Sequence, residues 1–333
     1  MKRMIMMMGL LFCITAVSVV TGCQSAPPPP PPQEEPAMHP PVVPEFPEFP
    51  EFEEKSEKDT NPPAISDERS RGIRSRRMRQ FEVFMLVESE RDGNAGILVG
   101  ADNALLSQYI PATGFKHSAN AFLVKTGRQN VLIDTGTGAD GIIVEKMKSL
   151  GVPPENVDII LITHLHGDHF GSLQKDGEAV FPNAKVYLSA KEYEYFTKTN
   201  VNQGAAAALA PYGSRVFTFE PLELGPIRKE ILPGITAIAA YGHTPGHTVY
   251  LLENGRDRLL IIGDLLHVAL VQFPRPDISA TYDMDPGASA GIRRQILNYA
   301  ARNKIPIGGM HIVYPGIGTV EASGSGFTFT PIE

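Results

Sequence analysis

Cysteine is almost missing from this 333-residue chain, and both thiols, Cys13 and Cys23, fall at its N-terminal end. Everything after Cys23 must do without a thiolate nucleophile, a cysteine metal ligand or a disulfide. Any metal held there depends on imidazole and carboxylate alone. An excess of positive charge is lacking too: 30 Lys and Arg stand against 37 Asp and Glu, a formal net charge of -7. That balance gives no general reason to expect nucleic-acid binding, and a nuclease loses ground. The apolar run Met4 to Val20 is about 17 residues long, barely enough to span a bilayer.

That run follows Lys2 and Arg3 and ends in small residues, the pattern of a secretory signal. Its last four residues, Val20-Thr21-Gly22-Cys23, resemble a bacterial lipobox, which implies cleavage before Cys23 and lipid on its sulfur. Gln24 in place of Asp favours the outer membrane, with the chain facing the periplasm. An uncleaved membrane anchor is the alternative. From Gln24 to about Gln80 little could pack a core: Pro27 to Pro32 is unbroken proline, and Pro44 to Phe52 repeats Pro-Glu-Phe three times. Proline fixes φ and removes donors, so this segment reads as a disordered tether rising up to about 3.1 Å per residue, or else as a partner-binding repeat. Charge is segregated along it. Glu45 to Asp59 is acidic, whereas Arg69, Arg71, Arg74, Arg76, Arg77 and Arg79 form a basic block that is solvated or touches anionic lipid or envelope polymer. The expected organisation is a signal over 1-22, a tether over 23-80 and a folded domain over 81-333.

Within that domain, strand-like runs recur at Phe81 to Val87, Ala121 to Lys125, Val131 to Ile133, Ile159 to Ile162, Lys185 to Leu188, Val216 to Phe219, Ile235 to Ala240, Thr248 to Leu252, Leu259 to Ile262 and Gly326 to Thr330. Helical signals interrupt them. Gly141 to Leu150 carries apolar residues at helical spacing before Gly151, Ser189 and Glu192 suggest a capping box, and Asp285-Pro286 opens a helix to about Asn303. Periodicity alone predicts a mixed α/β domain.

The chemistry concentrates in Thr163-His164-Leu165-His166-Gly167-Asp168-His169, directly after the apolar run Val157 to Ile162. Three imidazoles and a carboxylate at a strand end suit a metal, because a rigid strand delivers them without further ordering. Further polar residues stand at other strand ends: His243 and His247 in Tyr241-Gly242-His243-Thr244-Pro245-Gly246-His247, Asp264 after Leu259 to Gly263, and His311 after Ile305 to Met310. Taken singly, each reads equally well as a turn former or a satisfied polar side chain. His117 and His267 read as ordinary polar residues, His39 lies in low-complexity sequence, and Phe170, Phe273 and Tyr314 are either pocket wall or core.

Together these motifs resemble the metallo-β-lactamase superfamily, whose pattern runs His-x-His-x-Asp-His, Gly-His-Thr-Pro-Gly-His, Asp, His. Leu132-Ile133-Asp134-Thr135-Gly136 resembles the family's turn ahead of the first ligands. The resemblance covers about residues 81 to 333 and implies an αββα four-layer sandwich. It implies two divalent metal ions, Zn2+ with Fe or Mn as alternatives: His164, His166 and His243 around one, Asp168, His169 and His311 around the other, and Asp264 bridging both. Asp168 would also carry a proton in catalysis, and Asp134 would orient a ligand imidazole, or else cap an Asx turn. Gly171-Ser172 departs from the family's usual Gly-Gly. The segments from Gly263 to Phe273 and from His311 to Gly316 look most like the lactonase and methyl-parathion-hydrolase branch, which implies hydrolysis of lactones, esters or organophosphates. The same constellation also resembles β-lactamases, glyoxalase II thioesterases and iron-dependent sulfur dioxygenases. A tethered, non-catalytic metal-binding or surface interaction lipoprotein is the reading outside enzymes.

Overall fold

The computed structural model describes residues 69-138, 141-225 and 229-332. The expected signal over residues 1-22, Cys23 with its expected lipid, His39 and the expected tether up to residue 68 lie outside them. Among the described residues no helix is long and apolar enough to cross a membrane.

Two sheets carry the fold. The first contains β1 (Ile73–Met78), β2 (Phe81–Asp92), β3 (Lys116–Lys125), β4 (Asn130–Ile133), β5 (Ile159–Leu161), β6 (Lys185–Ser189) and β7 (Val216–Phe219), ordered along the sheet as along the chain. β1 to β4 pair antiparallel, and β4 to β7 pair parallel. The second sheet is β8 (Ile235–Ala239), β9 (Thr248–Asn254), β10 (Asp257–Ile261), β11 (Ile307–Gly308), β12 (Ile317–Ser323) and β13 (Gly326–Pro331), again in chain order, with only β10 and β11 parallel.

Period-two alternation sorts the strand residues into layers. Val83, Met85, Val131, Ile133, Ile159 and Leu161 face Ile235, Tyr250, Leu252, Leu259 and Ile261 across a core between the sheets. Their neighbours Phe84, Leu86, Leu132 and Ile160 turn outward onto the helices Ile142–Ser149 and Gln203–Leu209. Val249, Leu251 and Leu260 pack on Ile296, Leu297 and Ala300 of the helix Pro286–Asn303. Both faces of each sheet are thus covered, giving the αββα sandwich. The long helix starts as the sequence predicts: Pro286 occupies its first turn, and the Asp285 carboxylate accepts from the Ala288 amide at 2.9 Å.

Two expectations are corrected. The domain begins before residue 81, since Ile73–Met78 pairs residue for residue with β2 and buries Ile73 and Met78 completely. Part of the arginine block therefore belongs to a strand: Arg74, Arg76 and Arg77 sit on β1, and Arg74 donates to the Ile332 carbonyl at 2.9 Å. Charged side chains along an edge strand guard it against further pairing, and they also hide its apolar pattern from the sequence. The second correction concerns Ser189 and Glu192. A short helix, Ala190–Glu194, follows Ser189, but the Ser189 side chain makes no capping bond. Glu192 is instead fully buried and turned to the functional loops.

Candidate functional site

The rim where β4, β5, β8, β10 and β11 end collects the polar residues. Backbone pairing satisfies each strand up to its last residues, so the chain can leave the sheet there with side chains aimed into the gap between the two sheets. After β5 come His164, His166, Asp168 and His169, the last two on the single turn Gly167–Phe170. The loop from β8 to β9 carries His243 and His247, Asp264 follows β10, and His311 follows β11. Gly263, at φ 53°, permits one of these close approaches: a Cβ there would lie 2.4 Å from His247 Nε2. Gly171 is equally constrained, its Cβ position lying 2.1 Å from the Thr137 carbonyl oxygen, whereas Ser172 is accommodated and donates its amide to Thr135 Oγ1 at 3.1 Å.

The structure gathers all seven predicted residues into two overlapping groups. His164, His166, His243 and Asp264 form one; Asp168, His169, His311 and Asp264 form the other, and within each group the donor atoms lie within 4.8 Å of one another. In the first, His164 Nε2 is 3.1 Å from His166 Nδ1 and 3.1 Å from His243 Nε2, and the last two atoms are 2.9 Å apart. Two nitrogens bound tetrahedrally to one ion would lie about 3.3 Å apart, close to this spacing. Asp264 Oδ1 is 3.2 Å from His169 Nε2, and its Oδ2 is 3.0 Å from His311 Nε2 and 3.4 Å from His243 Nε2.

Hydrogen bonding on the far side of each ring decides what faces inward. His169 Nδ1 meets the Asp134 carboxylate at 2.7 Å, His243 Nδ1 meets Asp283 at 2.9 Å, and His311 Nδ1 meets the Ser118 carbonyl at 2.8 Å; each of these acceptors requires N–H on that nitrogen. Thr163 donates its one hydroxyl proton to Asp134 at 2.7 Å, so His164 Nδ1, 3.0 Å away, must donate to Thr163 Oγ1. In their neutral forms all four rings therefore present bare lone pairs to the same small volume. His169 Nε2 and Asp264 Oδ1 are buried there with no hydrogen-bond partner. Only cations resolve such an array. Protons supply part of the charge: burial opposes it on His169, but Asp264, Asp168 and Asp134 outweigh burial and hold its pKa well above the ordinary value. Burial is likewise overcome at His243, which Asp264 and Asp283 lift to about 9. Burial prevails at His164, held well below the usual value, and at His166, held near 4, leaving both neutral. Divalent metals fit the same positions, and the outward bonds fix ring orientation and tautomer for them.

Several contributors escaped the sequence reading. Asp283, whose pKa His243, the Ala280 amide and Arg293 hold near 2 against the effect of burial, orients His243. It is itself held by Arg293, a fully buried guanidinium that reaches Asp283 at 3.2 Å and the carbonyls of Pro276 and Ile278 at 2.9 and 2.8 Å. Glu192 accepts from the Leu165 amide at 2.7 Å, Thr244 Oγ1 at 2.8 Å and the Gly246 amide at 2.9 Å, tying together the two loops that carry His164, His166 and His243. Burial pushes its pKa up to about 7 despite these three donors. Glu88 braces the loop after Asp134 through the Thr137 amide at 2.7 Å.

His267 and His117 are corrected: they are not ordinary polar residues but part of the site wall. His267 Nε2 lies 3.2 Å from Asp264 Oδ2, and the His117, His311 and His267 rings stack in a row with centroids 4.6 and 5.0 Å apart. His247 is buried, kept near pKa 3 by that burial, and accepts from the Asp264 amide at 3.1 Å, which marks it as a support. Phe170 and Phe273 belong to the core. Tyr314 does line a cavity.

A four-layer sandwich with an imidazole and carboxylate cluster on its rim defines a class, the scaffold of metal-dependent hydrolases. Residues 115–304 match the model of the Metallo-beta-lactamase superfamily, more than half of the chain, and the chain belongs to that superfamily. It is similar to the 7,8-dihydropterin-6-methyl-4-(beta-D-ribofuranosyl)-aminobenzene-5'-phosphate synthase of Methanocaldococcus jannaschii, 26% identical over 205 residues, 56% of this chain and 66% of that one. It is also similar to an N-acyl homoserine lactonase of Bacillus cereus, 26% identical over 167 residues, 42% of this chain and 60% of the relative. The chain thus spans 60 to 66% of the length of these relatives. Among solved structures, the hydrolase AbOPH of the beta lactamase superfamily superposes with a TM-score of 0.71 at 29% identity, covering 79% of this chain and 98% of that one. AidC, a dizinc quorum-quenching lactonase in complex with a product, shares the fold with a TM-score of 0.70 at 24% identity, over 79% of this chain and 98% of AidC.

Proposed function

We propose that this protein is a binuclear metal-dependent hydrolase of small-molecule lactones, esters or organophosphates. The observation that carries the proposal is Asp264, which belongs to both donor groups: its Oδ2 lies 3.4 Å from His243 Nε2 of the first and 3.0 Å from His311 Nε2 of the second, and its Oδ1 lies 3.2 Å from His169 Nε2, which supports reading the groups as adjacent positions of one centre. The dizinc lactonase and the hydrolase that share this fold support the reading. Two divalent metals, taken as Zn2+, would supply ionised water near neutral pH and polarise the electrophile. Asp168 is the one member of the carboxylate set open to a substrate, its side chain 35% exposed against 3% for Asp264. It can therefore ligate and also pass a proton to the leaving group. A cavity of about 480 Å3 opens over it, walled by Arg91, His117, His267 and Tyr282.

The test pairs metal quantification of the full chain with a panel of lactone, ester, phosphotriester, thioester and β-lactam substrates. Two equivalents of metal, turnover of a lactone, ester or phosphotriester, and loss of turnover on chelation are expected. Iron together with oxygen uptake would point to a dioxygenase, and a fully loaded but inert chain to a non-catalytic binder. Asp168→Asn should lower kcat by about 10²- to 10⁴-fold, as removal of a positioned proton carrier does.

We propose further that residues 1-22 direct export and that lipid on Cys23 anchors the chain, through its tether, to the outer membrane. The motif Val20-Thr21-Gly22-Cys23 supports this reading. Mass spectrometry of the N-terminal peptide should find a diacylated or triacylated Cys23, and Cys23→Ser should move the protein from the membrane to the soluble fraction.

A further inference from the structure

A second cavity, about 800 Å3, adjoins the first and shares His267 and His311 with it, so a molecule with its reacting centre at the rim can extend into this groove. That volume suits a small-molecule ligand. Its walls differ from those of the first cavity. Leu270, 46% exposed, together with Phe115, Tyr314 and Phe329, gives it an apolar floor. Around these stand four cations, Arg69, Arg71, Lys116 and Lys146, against the one carboxylate Glu90. In a chain of net charge -7 this is a local inversion of sign.

Among the described residues, most of that positive charge has no carboxylate partner. Lys116 is paired with Asp92 at 2.7 Å. Lys146 directs its ammonium at the backbone carbonyls of Arg71 and, at 3.2 Å, Gly72, and burial and the nearby Arg71 charge lower its pKa. Arg69 lies over the Tyr314 ring, 5.9 Å from its centroid. Among the described residues neither Arg69, Arg71 nor Lys146 is ion-paired with a carboxylate. A neutral tail would need only the apolar floor, whereas an anionic tail would also meet uncompensated charge beside low-dielectric walls, which focus a field.

We propose that the groove takes a substrate whose scissile bond is joined through an apolar chain to a remote anionic group, a carboxylate or sulfonate, with Arg69 and Arg71 recognising the anion. The proposal rests on the hydrolase reading above and narrows its substrate class. The cavity also gives the residues just before β1 a role: they form part of the specificity surface.

The test compares mono-4-nitrophenyl adipate with 4-nitrophenyl hexanoate as substrates of the zinc-loaded full chain, and the matching 4-nitroanilides, one carboxylated and one neutral, as uncleaved ligands in calorimetry. The ratio of kcat/KM, carboxylated over neutral, should be about tenfold or more at low ionic strength and should fall with salt. Arg69 and Arg71 are exposed, so R69E/R71E should fold and should lower that ratio by about tenfold or more. A ratio near unity in the unaltered protein, or one unchanged by R69E/R71E, overturns the proposal. If neither ester is cleaved, the hydrolase reading fails on its own account and the anilides decide: tighter binding of the carboxylated anilide, lost in R69E/R71E, upholds anion recognition, and equal binding of the two overturns it.

Discussion

His243 ends a chain of three buried groups, and the order of that chain sets what each substitution should do. Arg293 fixes Asp283, and Asp283 fixes the ring through Nδ1. Asp283→Asn keeps the shape but weakens the bond that raises the basicity of the imidazole. Metal affinity should then drop about 10- to 100-fold, measured by chelator competition. Glu192→Ala acts differently, because it strands the Leu165 and Gly246 amides and the Thr244 hydroxyl without an acceptor in a buried place. An abandoned buried donor costs about 1 to 3 kcal/mol. A lower Tm together with looser metal binding is expected; an unchanged Tm would show that water replaces the carboxylate. Neither residue announced itself in the sequence. Glu192 carried a helix-cap spacing that pointed to a local role, and Asp283 lies in a segment without the apolar run that marks the other site residues. The seven clustered side chains were legible because apolar runs precede them and their order matches the family motifs, whereas His117 gained its place by stacking on His311, and His267 by that stacking together with its approach to Asp264.

At the level of elements, strands whose two faces are both buried were legible as continuous apolar runs, and β4, β5 and β10 lie within a residue or two of where those runs fall. One strand that the sequence concealed is β1, which has only Ile73 and Met78 to bury and four polar residues between them. Its contribution is testable by shortening the chain. A protein beginning at Phe81 gives up both buried side chains, worth about 3 to 6 kcal/mol together, and leaves β2 as a bare edge. It should melt lower and aggregate more than one beginning at Arg69, as scanning calorimetry and light scattering would report. Equal stability would mean that β1 is an ornament on the sheet. The short β11 was anticipated only as part of the run from Ile305 to Met310, and β12 was not anticipated at all, since Ile317–Ser323 breaks its apolar pattern with a buried glycine, Gly318, and with the exposed Glu321 and Ser323.

For the whole molecule, the rim lies where the two halves of the sandwich face each other. The first sheet and its loops supply His164, His166, Asp168 and His169; the second supplies His243, Asp264 and His311. Ions bound there would join the sheets, so binding to the folded state should raise stability by about 2.7 kcal/mol at a hundredfold excess over Kd for a single site. Chelation should therefore lower Tm by several degrees, and zinc should restore it in proportion to occupancy; a Tm indifferent to metal would place the centre outside the cohesion of the fold.

Each sheet is also woven from one uninterrupted stretch, residues 73 to 219 and then 235 to 331. A break in the chain between Phe219 and Ile235 would yield two fragments, each with an unfinished set of donors and an uncovered apolar face. Mixed together, they could recover a metal centre only by reuniting, and uptake of the ion would then serve as a reporter of their assembly.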